Sequence, residues 1–271
     1  MKKNNKIILF GSKGFIASKF ITLNKKYFIY SLDTNDLKPK NKKNYKFIKK
    51  NLLDKKTSTN YLNTKINASI LTSYNINFKN MSEKRYLNEN IKIIKNCLKI
   101  CKKNKVKKII YISSAAVYGI KNKVIKETDS LSPINIYGIS KVKTEKMVMD
   151  YAKKENVQYI IFRIFNAYGY NKNNLITKFI DMDKNNIPLK INGDGNQFRD
   201  FIHIDDVISA LNKSLSNKIK KNLILNLCTG KKIKMISVIK KLSKNFIKVK
   251  AIKEPKMILG SINNIRKELR W

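Results

Sequence analysis

The stretch Lys6-Ile7-Ile8-Leu9-Phe10-Gly11-Ser12-Lys13-Gly14-Phe15-Ile16-Ala17 decides how the rest of the chain is read. Lys6–Phe10 is a short apolar run closed by a glycine, the pattern of a buried strand, and residues 14–23 carry the pattern of a helix. Gly11 and Gly14 sit at the junction. Glycines there permit a tight turn and let the backbone approach a pyrophosphate, while the helix N-terminus offers free N–H donors and a partial positive charge. The chain has only 9 glycines in 271 residues, so two of them at one strand–helix junction point to phosphate binding rather than an ordinary turn. Ala17 stands where a third glycine is expected and is small enough for close helix–strand packing. Asp33 closes a second strand over residues 27–32, about twenty residues past the turn. A carboxylate there accepts both hydroxyls of an adenosine ribose and repels a 2′-phosphate, which favours NAD over NADP.

Outward from this unit, short apolar runs alternate with helical patterns. Further strands are expected over residues 45–52, 68–71, 108–113 and 158–165. A long helix over residues 82–103 shows one apolar stripe, Leu87, Ile91, Ile94, Leu98 and Cys101, and another helix covers residues 136–153. Strands separated by helices imply an α/β fold, a doubly wound parallel sheet with helices on both faces. Beyond Asn166 the elements shorten into a smaller C-terminal α/β portion. The expected division is 1–166 for the dinucleotide-binding domain and 167–271 for the substrate-binding portion, with parts of 199–228 returning to the sheet.

Composition narrows the function. Formal net charge is +41, from 59 Lys and Arg against 18 Asp and Glu. The excess is nearly all Lys, spread over every segment beside abundant Asn and Ile. That is the mark of compositional drift and not of one basic arm, so nucleic acid is not the expected partner. Cys97, Cys101 and Cys228 have neither metal-ligand nor disulfide-framework spacing, and one histidine, His203, cannot build a metal site. No metal is expected, and His203 reads as a structural strand residue. No apolar run approaches the ~18 residues of a membrane span, and a cytoplasmic location is the default expectation.

Tyr137 and Lys141 stand four apart in Tyr-Gly-Ile-Ser-Lys, one turn apart on one helix face. A lysine charge there favours the phenolate, so the tyrosine can act as a base near neutral pH. A nearby serine hydroxyl could hold the substrate oxygen. The spacing recurs at Tyr45/Lys49 and Tyr159/Arg163, so context must single out this pair.

That context is a set of ordered motifs: residues 11–17, 113–119 (Ser-Ser-Ala-Ala-Val-Tyr-Gly), 137–141, 163–169 (Arg-Ile-Phe-Asn-Ala-Tyr-Gly), 193–207, 226–230 and 265–271, which hold 8 of the 9 glycines. With these the chain resembles the extended short-chain dehydrogenase/reductases, the nucleotide-sugar epimerase and dehydratase group. The resemblance implies a Rossmann-type fold and a catalytic set of Ser114, Tyr137 and Lys141, with Lys141 also holding the nicotinamide ribose. It places Phe15 and Ile16 under the pyrophosphate, Asn51 and Leu52 beside the adenine, Asn90 behind the site and Phe165 against the nicotinamide. It assigns Asn166 and Arg199 to the substrate's nucleotide diphosphate; a forked guanidinium suits phosphate oxygens. It also implies a homodimer through the helices over residues 82–103 and 136–153.

The chain departs from the family pattern in three places. A His and paired alanines are usual where Leu71-Thr72-Ser73-Tyr74 stands. Dehydratases carry an acidic pair where this chain has Ala115-Ala116, so nothing there protonates a leaving hydroxyl. Lys253-Glu254-Pro255-Lys256 replaces an Arg-x-Gly-Asp-like stretch. The expected function is therefore NAD-dependent epimerisation of a nucleotide sugar at C4. The alternatives are an NAD(P)H-dependent 4-keto-sugar-nucleotide reductase and a non-catalytic dinucleotide-binding protein.

Overall fold

Alternate residues of a strand face opposite sides of its sheet. In the first strand, β1 (Lys6–Phe10), both sides are apolar and Ile7 through Phe10 are fully buried, as a strand covered on both faces requires. The computed structural model describes residues 5–39, 43–54, 62, 64–76, 81–169, 174–216, 218–250 and 254–271; Lys253 of the departing 253–256 stretch lies outside them. After β1 come α1 (Phe15–Leu23), β2 (Phe28–Asp33), β3 (Tyr45–Lys49), β4 (Ala68–Leu71), α2 (Glu83–Lys103), β5 (Lys108–Ser114), α3 (Ile136–Glu155) and β6 (Gln158–Ile164). A single 3-10 turn, Ala115–Tyr118, follows β5. The later elements are β7 (Asn166–Tyr168), α4 (Leu175–Lys184), β8 (Leu189–Asn192), β9 (Phe198–Arg199), β10 (Phe201–His203) and α5 (Ile204–Ser214). They continue with β11 (Leu223–Leu227), β12 (Ile233–Lys234), α6 (Met235–Leu242), β13 (Phe246–Val249), β14 (Met257–Ile258) and α7 (Asn263–Leu269).

Seven strands form one sheet in the order β11-β6-β5-β4-β1-β2-β3, and every pairing in it is parallel. This is the Rossmann-type α/β fold that the alternation of apolar runs predicts. Chain order reverses between β1 and β4. Such a reversal opens a crevice at the carboxyl ends of the strands, where ligands of open α/β sheets bind. On one face Ile7 and Leu9 pack with Ala17, Phe20, Ile208 and Leu211. On the other, Ile8 and Phe10 pack with Ile94, Cys97 and Cys101 of α2 and Val148 of α3. Each such aliphatic side chain stabilises the fold by about 1.5–3 kcal/mol relative to exposure.

The helices are set by their termini. Ser82 caps α2, accepting from Arg85 N–H, with Glu83 in the first turn and Lys102 and Lys103 in the last, all favourable to the helix dipole. Asn135 caps α3 by accepting from Gly138 N–H at 2.9 Å. Past β6, β11 returns to the main sheet beside β6, and the other strands form small sheets: β10 pairs β7, β13 pairs β8, and β12 and β14 flank β9. All three cysteines are buried and free. Among the described residues no helix is long and apolar enough to cross a membrane, and no cluster of His, Cys, Asp or Glu could hold a metal ion.

Candidate active site

The crevice has a turn end and a helix end. At the turn end, Gly11 has φ +82°, a conformation disfavoured for other residues. A Cβ on Gly11 would also lie 2.8 Å from the Ser73 backbone, so only glycine lets the loop after β4 close against the turn. Gly14 N–H donates to Gly11 O at 3.0 Å, and α1 starts directly behind with Phe15 and Ile16 packed on the sheet core. Asp33 ends β2 and faces this turn: Oδ2 accepts from Lys13 N–H at 3.1 Å and Oδ1 from Thr34 N–H at 2.6 Å. A cavity of about 280 Å³ opens here, lined by Gly11, Gly14, Asp33, Asn51, Leu52 and Tyr74 among others. Asn51 Oδ1 accepts from Leu53 N–H at 2.9 Å, and Leu52 is buried. The glycine turn, the Asp33 carboxylate and the pair Asn51 and Leu52, to which the resemblance gives the adenine, thus line one cavity. Its chemistry fits the adenosine diphosphate moiety of a dinucleotide.

The helix end holds Ser114, Tyr137 and Lys141. Ser114 closes β5, and α3 brings in the other two. Their meeting depends on Gly138, whose added Cβ would lie 2.6 Å from Ala116 O and 2.8 Å from Pro133 Cβ. A larger residue would push α3 off the turn that follows Ser114. The Ser114 hydroxyl stands close enough to the Tyr137 phenol to favour its ionised form, and it accepts from Ala116 N–H at 3.2 Å. Burial raises the Tyr137 pKa above its ordinary value, and the neighbouring Ser114 hydroxyl opposes this.

The expected phenolate–ammonium pairing is not what the geometry shows. Lys141 Nζ lies 5.9 Å from the Tyr137 ring centroid and donates to Ile112 O at 2.8 Å and Tyr111 Oη at 3.4 Å. Burial pushes its pKa down to about 7, partly offset by Glu145. The physical reason is that Lys141 Nζ is engaged by Ile112 O, Tyr111 Oη and the Tyr74 ring, while burial disfavours charge on both groups.

The remaining expected residues fall around these two ends. Asn90 of α2 grips the loop after β4, accepting from Asn75 N–H at 2.8 Å and donating to Asn75 O at 3.2 Å. Phe165 follows β6 and is buried with Val117, Tyr118, Ile125 and Cys228. Asn166 opens β7 and donates through Nδ2 to Asp200 O at 2.9 Å. The Arg199 guanidinium is already engaged: it donates to Phe198 O and Pro255 O, both at 2.9 Å, and pairs with Glu254. Burial pulls its pKa down while Glu254 holds it up. His203 stands at the end of β10, where its Nδ1 accepts from Asp205 N–H at 3.3 Å and caps α5.

Several residues of the site escape sequence reasoning. Glu145, one turn past Lys141, forms a buried pair with Arg163, N–O 2.8 Å, and accepts from the Ser113 hydroxyl. Asp200 is fully buried and gathers Thr229 N–H at 2.8 Å and Gly230 N–H at 2.9 Å, tying β10 to the loop after β11. Tyr74 hydrogen-bonds Ser140, lies edge-on to Tyr137 with centroids 6.0 Å apart, and places its ring 3.6 Å from Lys141 Nζ. The one signal for Tyr74 was its place in the departing loop 71–74.

Comparison with known proteins agrees with this geometry. Residues 7–228 match the model of the NAD dependent epimerase/dehydratase family. A putative UDP-glucose 4-epimerase of Methanocaldococcus jannaschii is 32% identical over 239 residues, 83% of this chain and 77% of that protein. A dTDP-D-glucose 4,6-dehydratase of Dictyostelium discoideum is 31% identical over 268 residues, 88% of this chain and 61% of that protein. Among solved structures, UDP-glucuronic acid 4-epimerase from Bacillus cereus, in complex with UDP-glucuronic acid and NAD, superposes with a TM-score of 0.83 at 25% identity. The match covers 98% of this chain and 93% of that one.

Proposed function

We propose the reaction from one premise: the chain belongs to the NAD-dependent epimerase/dehydratase family, whose members are enzymes acting on nucleotide sugars. The reading is inversion of a nucleotide-linked hexose at C4. The observation that carries it is the Ser114–Tyr137 hydroxyl pair, with Lys141 one helical turn on, beside a turn in which no acid follows the serine. The residues at hand fit NAD at its adenosine diphosphate end, through Gly11, Gly14, Phe15, Ile16, Asp33, Asn51 and Leu52; Asn90, Phe165 and Lys141 belong to the nicotinamide end. NAD supplies a hydride acceptor at the sugar carbon and a donor for the return.

The chain's own part is the proton. Ser114 holds the 4-hydroxyl in place, and Tyr137 takes its proton and later gives one back. Burial raises the Tyr137 pKa, so a positive charge brought closer to the phenol, such as that of Lys141 one turn along the helix, would ease the loss of its proton. Ala115 and Ala116 offer no group to protonate a departing hydroxyl, which speaks against elimination. Asn166 and Arg199 take the substrate diphosphate, Arg199 by exchanging Glu254 for phosphate oxygens. We assign the protein a homodimeric state through α2 and α3, a cytoplasmic location, and a substrate-binding portion after Asn166.

The test is incubation of the protein and NAD with UDP-glucose, UDP-N-acetylglucosamine, UDP-glucuronic acid and dTDP-glucose, with the 4-epimers separated by chromatography. One of them should interconvert with its 4-epimer. If none does, while a 4-keto-6-deoxy product appears, or NAD(P)H is consumed in a parallel incubation with a 4-keto-6-deoxy sugar nucleotide, the reading is wrong.

A further inference from the structure

The cavity at the turn end does not reach the helix end. Tyr74 lines it, whereas Ser114, Tyr137 and Lys141 do not. The Tyr74 ring is the wall between them. Its centroid stands 3.6 Å from Lys141 Nζ, its hydroxyl bonds the Ser140 hydroxyl, and its edge meets the Tyr137 ring at 88°. An ammonium has three donors. Two of those of Lys141 are directed to Ile112 O and Tyr111 Oη, and the aromatic face of Tyr74 lies against the same nitrogen. A ribose hydroxyl must come within about 3 Å of that nitrogen to bond it, and the ring stands on this approach. The loop carrying Tyr74 is itself held: Asn90 binds Asn75 on both its N–H and its C=O, and Ser73 abuts Gly11. The Tyr74 side chain keeps part of its surface exposed, which gives its ring a side toward which it could turn.

We infer that Tyr74 is a cofactor-selecting gate, which leaves the groove open to adenosine diphosphate while the nicotinamide ribose reaches Lys141 only after the ring swings away. The inference rests on the cofactor reading above and goes further, because it makes ADP a ligand that rivals NAD. When the competent state is a minor one, apparent affinity falls by the fraction populated. That loss applies to NAD, whose second ribose needs Lys141, and not to ADP, which stops short of it.

Equilibrium binding of NAD and of ADP to the whole protein, by calorimetry, tests the gate. In the wild type NAD should bind no more than about threefold tighter than ADP, and Tyr74→Ala should raise the ratio of NAD to ADP affinity by about tenfold or more. Tyr74→Phe keeps the ring and loses only the Ser140 bond, so its NAD affinity should fall between the two. It serves also if the alanine variant folds poorly. Wild-type NAD affinity more than about tenfold above that of ADP, or an NAD-to-ADP ratio unmoved by both variants, overturns the gate alone. Failure of wild type and variants to bind either nucleotide overturns the cofactor site and the gate with it.

Discussion

At the Gly11 end of the crevice the backbone shapes the site: one turn with a positive φ, one helix N-terminus, and a carboxylate 22 positions further on. At the Lys141 end side chains shape it, and they come from separate parts of the chain: Tyr74 after β4, Tyr111 and Ser114 on β5, and Tyr137, Ser140 and Lys141 on α3. The first end is a property of one βαβ unit and is open. The second exists only once the sheet is assembled, and its charged group is buried among aromatic rings. A site made this way separates holding the cofactor from performing the chemistry, and the two functions should respond to different substitutions.

The largest expected effect is at the proton. Tyr137→Phe removes the group that exchanges it and should lower turnover by about 10³-fold, with ADP affinity unchanged in a titration of the same preparation. A parallel loss of ADP binding would show that the two ends are not separable. Next, the two glycines should fail in opposite ways. Gly138→Ala drives α3 away from Ala116 O and should cost turnover up to about a hundredfold at intact ADP affinity. Gly11→Ala, in a left-handed conformation against Ser73, should weaken ADP itself in calorimetry.

How these positions were legible follows the same division. Gly11, Gly14 and Asp33 could be placed from sequence because their spacing is local and their geometry is fixed by φ and by one strand's end. The Tyr137/Lys141 spacing was legible as a helix turn, but the partners of Lys141 were not. Ile112, Tyr111 and Tyr74 reach it across the sheet, and no periodicity records such a meeting. The pairing of Arg199 with Glu254, 55 residues apart, is hidden for the same reason. Strands as short as β9, β12 and β14, with two residues each, carry no alternation to read.

A smaller effect reports on burial at the helix end. Lys141 has its folded pKa lowered to about 7, against about 10.4 in the unfolded chain. Between those values the unfolded chain binds the extra proton, so stability rises with pH there and the penalty is fully present below about pH 7. Lys141→Met should therefore raise Tm by several degrees at about pH 6 and by much less at about pH 10, in calorimetric scans. An equal gain at both would mean that Lys141 is not desolvated. The smallest effect belongs to the substrate side: Glu254→Gln loosens its hold on Arg199 and should lower KM for the nucleotide sugar by about threefold with kcat unchanged.

The central claim is that Ser114 and Tyr137 move a proton at the sugar 4-hydroxyl while the carbon-bound hydrogen goes out and comes back within one active site. Proton NMR of the active nucleotide sugar, incubated with the enzyme and NAD in D₂O, reads this directly. The account predicts the C4 epimer with its hydrogen at C4 retained as protium, and neither epimerisation nor exchange with Tyr137→Phe. Deuterium at C4, or inversion that survives Tyr137→Phe undiminished, would contradict it.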